Sequence, residues 1–157
     1  MAIRLVANST YSRILLSDEE CIGEIRVTVK LTNAADEVSA AAGLIPLDQV
    51  RSATVQAVVD MGAIRSVIPA NVIDQLGALK RGTSTARYAD GREEVVGLTF
   101  PILFEIQGRS TADEALILGD EVLIGQTVLE KLDLIADCKN QRLSPNPAHP
   151  DGPVMRV

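Results

Sequence analysis

The sequence predicts a mainly β domain with two or three short helices, and three features carry that prediction. Apolar and polar residues alternate from Ile25 to Leu31 and again from Ala53 to Ala57, the period-two signature of half-buried strands. Asp90-Gly91 sits at the centre of a polar stretch, and Asp-Gly is a strong two-residue hairpin signal. The helix-like patterns are short and punctuated by Pro69, Gly43 and Gly77.

The 157 residues fit one domain able to bury a core without metals or disulfides. Their composition is 46% hydrophobic with no Trp and two Phe, so the interior is expected to be rich in Val, Ile, Leu and Ala. A net charge of −6, with the basic residues scattered, argues against a nucleic-acid partner. Cys21 and Cys138 lie in unrelated contexts without a C-x-x-C pattern, and read as free thiols in a reducing compartment. Neither a signal-peptide run at the amino terminus nor a stretch of about 18 apolar residues is present. A cytoplasmic protein with no membrane contact is therefore expected.

Three parts are expected: an N-terminal extension over 1–21, a domain over 22–144, and a Pro-rich tail over 145–157. Within the domain, Ile25, Val27, Val29 and Leu31 form the inward face of the first strand. Asn33 can cap a helix that Gly43 stops. Leu44 to Asp48, with Pro46, is a loop, and Arg51 to Val59 is a strand that becomes wholly apolar at Val58 and Val59. Pro69 opens a second helix closed by Gly77. Leu79 to Gly97 reads as a projecting hairpin, followed by strands over Leu98 to Gln107 and Ser110 to Leu118 that turn at Gly108. After Leu123-Ile124-Gly125 comes a short helix from Gln126 to Leu132, then two short strands at Leu134 to Ala136 and Arg142 to Leu143. The tail holds four of the seven prolines and is expected to be extended along the surface or mobile. His149, the one histidine, lies there and reads as a surface residue. Ser66 and Ser110 read as ordinary strand or loop residues.

The candidate chemistry centres on Asp60. Three apolar residues, Ala57 to Val59, deliver this carboxylate into a turn made by Gly62 and Ala63, and a second apolar run follows from Ser66 to Ile68. An Asp at the end of a strand commonly marks only a turn. The order of the parts is more specific: strand, Asp-x-Gly-Ala, apolar run, hairpin with a Gly at its tip, two strands, then Leu-Ile-Gly and a short helix. That order resembles the retropepsin-like aspartic proteases, the viral enzymes and their bacterial single-domain relatives, over roughly Ile22 to Leu143.

The resemblance implies a retropepsin-like barrel acting as a symmetric homodimer without a cofactor or metal. It implies an endopeptidase in which Asp60 and its twin, one per subunit, activate water between them. Gly62 and Ala63 would shape the active-site loop together with Met61. Tyr88, Ala89, Asp90, Gly91 and Arg92 would form the flap over an extended polypeptide substrate, and Leu123, Ile124 and Gly125, followed by Gln126 and Leu129, would pack beneath the loop.

One residue departs from the pattern. The family has Thr or Ser after the Asp, whose hydroxyl braces the loop of the partner subunit, whereas this chain has Met61. A thioether is at best a weak acceptor. The alternative to an active protease is therefore a dimeric peptide-binding or interaction module with impaired turnover. Metal binding by Asp60 with Asp90 or Asp137 lacks a nearby His, and no Gly-x-Ser-x-Gly elbow supports a serine hydrolase.

Overall fold

A computed structural model describes residues 23–157. The expected extension over 1–21, and Cys21 with it, lies outside the described residues. From Arg26–Thr32 (β1) the chain passes to helix Ala34–Ala41 (α1), a single 3₁₀ turn at Leu47–Gln49, then Ser52–Val59 (β2) and Ser66–Ile68 (β3). Helix Ala70–Leu76 (α2) leads to the hairpin Lys80–Arg87 (β4) and Glu93–Thr99 (β5). Ile102–Ile106 (β6), Arg109–Asp113 (β7), Ala115–Ile117 (β8) and Val122–Ile124 (β9) precede helix Gln126–Leu132 (α3), and Leu134–Asp137 (β10) pairs with Arg142–Pro145 (β11).

The first nine strands form one mixed sheet in the order β4-β5-β8-β3-β9-β2-β1-β6-β7. β4 and β7 are its two edges, and no pairing between them closes it among the described residues. The expectation of a mainly β fold with short helices is what the structure shows.

Alternation explains where the core sits. In β1, Val29 and Leu31 are buried while Arg26, Thr28 and Lys30 face solvent, because successive side chains of a strand point to opposite faces. The centre of the sheet is buried on both faces. Ala57, Val59, Ile68, Ala115, Val122 and Ile124 belong to the main apolar cluster. Their immediate neighbours Val58, Val67, Leu116 and Leu123 belong to a second cluster on the other side, with Ala63, Ala86, Tyr88, Val96 and Leu98. Strands covered on both sides lose the polar alternation, which is why Val58 and Val59 are both apolar.

The helices follow their end signals. The Asn33 side chain caps α1 by accepting from the Asp36 N–H at 3.0 Å, and its amide donates to the carbonyls of Leu76 at 2.9 Å and Gly77 at 3.2 Å. Even so, α1 buries none of its residues, and Val38 is exposed. α2 begins after Pro69 and ends at Gly77 in the left-handed conformation, φ +61°, where glycine lacks the Cβ penalty.

Four expectations need correction. The strand read over Leu98 to Gln107 is two strands, because β5 ends at Thr99 and β6 starts at Ile102. Pro101 between them has no N–H to give a ladder. The strand read over Ser110 to Leu118 also divides: β7 pairs with β6 at one edge, while β8 pairs with β3 and β5 near the centre. The Ala115 N–H turns to the Thr99 hydroxyl at 3.0 Å, so the edge ladder stops at Asp113. Gln107 and Gly108, at φ +52° and +78°, make the tight turn between β6 and β7.

The tail is neither extended nor loose: it turns between 146 and 152 and is bonded to the domain as far as Val154. Asn146 N–H donates to the Asp133 carbonyl at 3.0 Å, and the buried Arg109 guanidinium donates to the carbonyls of Leu132, Asp133 and His149 at 3.0, 3.1 and 2.7 Å. His149, partly exposed, also pairs its Nδ1 with the Asp133 carboxylate at 2.5 Å. Finally, Cys138 is disulfide-bonded, so it is not a free thiol. That removes the thiol argument for a reducing compartment. No helix among the described residues is long and apolar enough to cross a membrane.

Candidate active site

Asp60 stands at the end of a ladder that the sheet extends past the strands. β2 and β9 run parallel with Val59 opposite Ile124, so both strands end on the same side. The Asp60 N–H continues the pairing by donating to the Ile124 carbonyl at 2.9 Å. Its carboxylate Oδ1 accepts from the Gly62 N–H at 2.9 Å, and its carbonyl accepts from the Ala63 N–H at 3.2 Å. These bonds fold the loop back on itself and leave Asp60, Met61 and Gly62 half-buried above a fully buried Ala63.

The start of α3 holds the loop from the other side. Gln126 N–H donates to the Ala63 carbonyl at 2.9 Å, and Thr127 N–H to the Ile64 carbonyl at 3.1 Å. Between β9 and α3, Gly125 is buried against the loop. A Cβ there would lie 2.6 Å from the Arg65 carbonyl carbon and 2.8 Å from the Ile64 oxygen, distances no side chain tolerates. The Gly125 N–H donates to the Ser66 hydroxyl at 2.9 Å. Ser66 is thus a fully buried strut, not the ordinary strand residue expected from sequence.

The hairpin lies over the same region. Val96, Leu98, Ala86 and Tyr88 turn inward to the apolar cluster that contains Ala63, while Ala89, Asp90, Gly91 and Arg92 are exposed at the tip. The tip is internally tied. Tyr88 N–H donates to the Arg92 carbonyl at 2.8 Å, Arg92 N–H to the Asp90 carboxylate at 2.9 Å, and the Arg92 guanidinium lies 4.9 Å from the Tyr88 ring centroid. The Tyr88 hydroxyl donates to the Glu94 carboxylate. That hydrogen bond, reinforced by burial and by the Glu94 charge, raises the Tyr88 phenol above its ordinary value of 10.0. Asp90 is held below 3.8, first by the Arg92 backbone N–H and then by its guanidinium.

The structure thus brings Ala63 of the Asp60 loop and Tyr88 of the hairpin into one apolar cluster, and sets Ile124 and Gly125 against the loop backbone. The tip residues Ala89 to Arg92 are exposed to solvent. Glu94 and Ser66 escaped the sequence reading. Neither has a local signal, since Glu94 looks like a solvated strand residue and Ser66 like a polar break between loop and strand.

Met61 packs against the main apolar cluster. Its carbonyl accepts from Gln126 Nε2 at 2.5 Å. Among the described residues, no group of three or more His, Cys, Asp or Glu side chains could hold a metal ion.

No family model and no curated protein matches the chain. Among solved structures, the chain is similar to a foamy viral protease-reverse transcriptase in complex with an RNA/DNA hybrid, at 17% identity and a TM-score of 0.41. The match covers 48% of this chain and 10% of that one, so the chain spans about a tenth of the length of that protein.

Proposed function

We propose that the chain is an aspartic endopeptidase of retropepsin type that works as a symmetric homodimer. The observation that carries the reading is the loop itself. A half-buried carboxylate at the end of a central strand is fixed through its Oδ1 by the Gly62 N–H, and the loop backbone is held by Ile124, Gln126 and Thr127.

One carboxylate is insufficient for this chemistry. Hydrolysis without a covalent intermediate needs one group to take a proton from water and another to give one to the carbonyl oxygen. Two adjacent carboxylates that share a single proton fulfil both roles. This chain has one such loop, so the second Asp60 comes from a second copy across a two-fold axis. Water then adds to the peptide carbonyl between the pair, and the tetrahedral intermediate collapses as a proton passes to the leaving amine. An extended substrate lies under the β4–β5 hairpin, where main-chain hydrogen bonds hold it as an added strand.

Met61 favours a second reading. It turns into the apolar cluster and offers no hydroxyl to a neighbouring loop, so the same dimer without turnover would be a peptide-binding module. Cleavage of a mixed peptide library between about pH 4 and 8 separates the two, using the parent, Asp60→Asn and Met61→Thr. Cleavage by the parent that Asp60→Asn abolishes supports the protease. Cleavage by Met61→Thr alone supports the binding module, and undiminished cleavage by Asp60→Asn overturns the assignment of Asp60.

A further inference from the structure

We infer that Gln126 is a positioning residue for the Asp60 loop, bracing it from within the same chain through its side-chain amide. The role deepens the protease reading and rests on it for its catalytic meaning, but the brace itself is a property of the loop.

Three hydrogen bonds join the start of α3 to the loop, and they differ in kind. The bonds from the N–H groups of Gln126 and Thr127 to the carbonyls of Ala63 and Ile64 come from backbone, and any non-proline residue would make them. The bond to the Met61 carbonyl comes from the Gln126 side chain, Nε2 at 2.5 Å. It alone depends on the identity of residue 126, and it grips the residue immediately after Asp60.

The other end of the same amide is the second observation. Gln126 Oε1 is buried with no hydrogen-bond partner among the described residues. A buried unpartnered acceptor is unfavourable, so packing alone would favour an apolar side chain here. Nor can the amide turn over, because that would set Oε1 against the Met61 carbonyl, two acceptors face to face. The side chain is held one way round by its donor, and the donor is the part the loop uses.

The brace predicts an unusual pH response for the near-isosteric variant Gln126→Glu. An ionised carboxylate has no donor and repels the Met61 carbonyl, whereas a protonated carboxyl carries an O–H that can donate to it. Amide hydrogen exchange at Gly62 and Ala63 in the full chain reads the loop without requiring activity, and kcat and KM on a cleaved peptide read the consequence.

In Gln126→Leu, exchange at Gly62 and Ala63 is expected to be roughly tenfold faster than in the parent. Its kcat is expected to fall by about 10- to 100-fold with KM within about twofold. Gln126→Glu should match these defects at neutral pH and, relative to the parent at each pH, recover as the carboxyl protonates. That recovery keeps the test open if the Leu variant fails to fold. Exchange and kcat equal to the parent in both variants would overturn the inference. Loop exchange that depends on residue 126 in a chain that cleaves nothing would uphold the brace and overturn the protease reading.

Discussion

The backbone N–H of Gly125 donates to the Ser66 hydroxyl at 2.9 Å, tying the end of β9 to the start of β3 across 59 residues of sequence. With Asp60 N–H on the Ile124 carbonyl, it closes the two ends of the Asp60 loop onto one strand. The catalytic candidate therefore owes its position to residues that carry no chemistry of their own.

The closeness of Gly125 to the loop gives the first prediction. Gly125→Ala would place a Cβ 2.6 Å from the Arg65 carbonyl carbon, and backbone on that side cannot swing away as a flexible side chain would. Overpacking of this kind costs about 1–3 kcal/mol. Urea denaturation should show that loss, and cleavage should fall further than stability because the displaced backbone belongs to the Asp60 loop. A variant with parental midpoint and activity would show that β9 and the loop are not in close contact.

A second prediction concerns the hairpin. The Glu94 carboxylate, accepting from the Tyr88 hydroxyl, holds the phenol above 10.0. Because the folded value is raised, the stability from this pair is complete below the ordinary phenol range and is lost as pH rises through the raised value. Glu94→Gln should return the Tyr88 titration toward 10.0, read by phenolate absorbance or by ring shifts in NMR. An unchanged titration would mean that burial, not Glu94, sets the value.

The tail yields a third. Asp133 is held below 3.8, first by the Asn146 amide, which outweighs the opposing effect of burial, and then by His149 and the Val154 N–H. A lowered folded value means that its contribution is complete above 3.8 and is lost as pH falls through the depressed value. Residues 146–154 should therefore exchange amide protons or be clipped by protease more readily at strongly acid pH. Asp133→Asn should loosen them already at neutral pH and remove that acid dependence. Equal protection in parent and variant at neutral pH would show that Arg109 and the backbone bonds fix the tail unaided.

These cases mark what could be read from sequence. The alternation in β1 and β2, the caps at Asn33 and Gly77 and the turn at Gly108 are local, and local physics places them. The apolar run at Val58 and Val59 announced a covered strand, and the structure supplies the reason, since each residue faces a different cluster. What sequence could not show depends on partners distant in the chain. Arg109 and Asp133 look like solvated surface charges until the tail folds across them, whereas Pro101, which divides Leu98 to Gln107 between two ladders, is itself a local breaker. At the site, the turn at Asp60 and Gly62 was legible because turns favour few residue types, while Gly125 came from the resemblance and not from its own surroundings. Ser66 and Glu94 were not legible, because a hydroxyl or carboxylate acquires its role only from the donor set against it.

The measurement that bears most directly on the shared site is a mixing experiment. The hydrolysis rate of a peptide cleaved by the parent would be followed at constant parent concentration while Asp60→Asn chain is added. Exchange of subunits should convert parent dimers into mixed dimers holding one carboxylate, so the rate should fall progressively toward zero. A rate that does not respond to a large excess of the variant, with subunit exchange verified, would contradict an active site built from two Asp60 side chains.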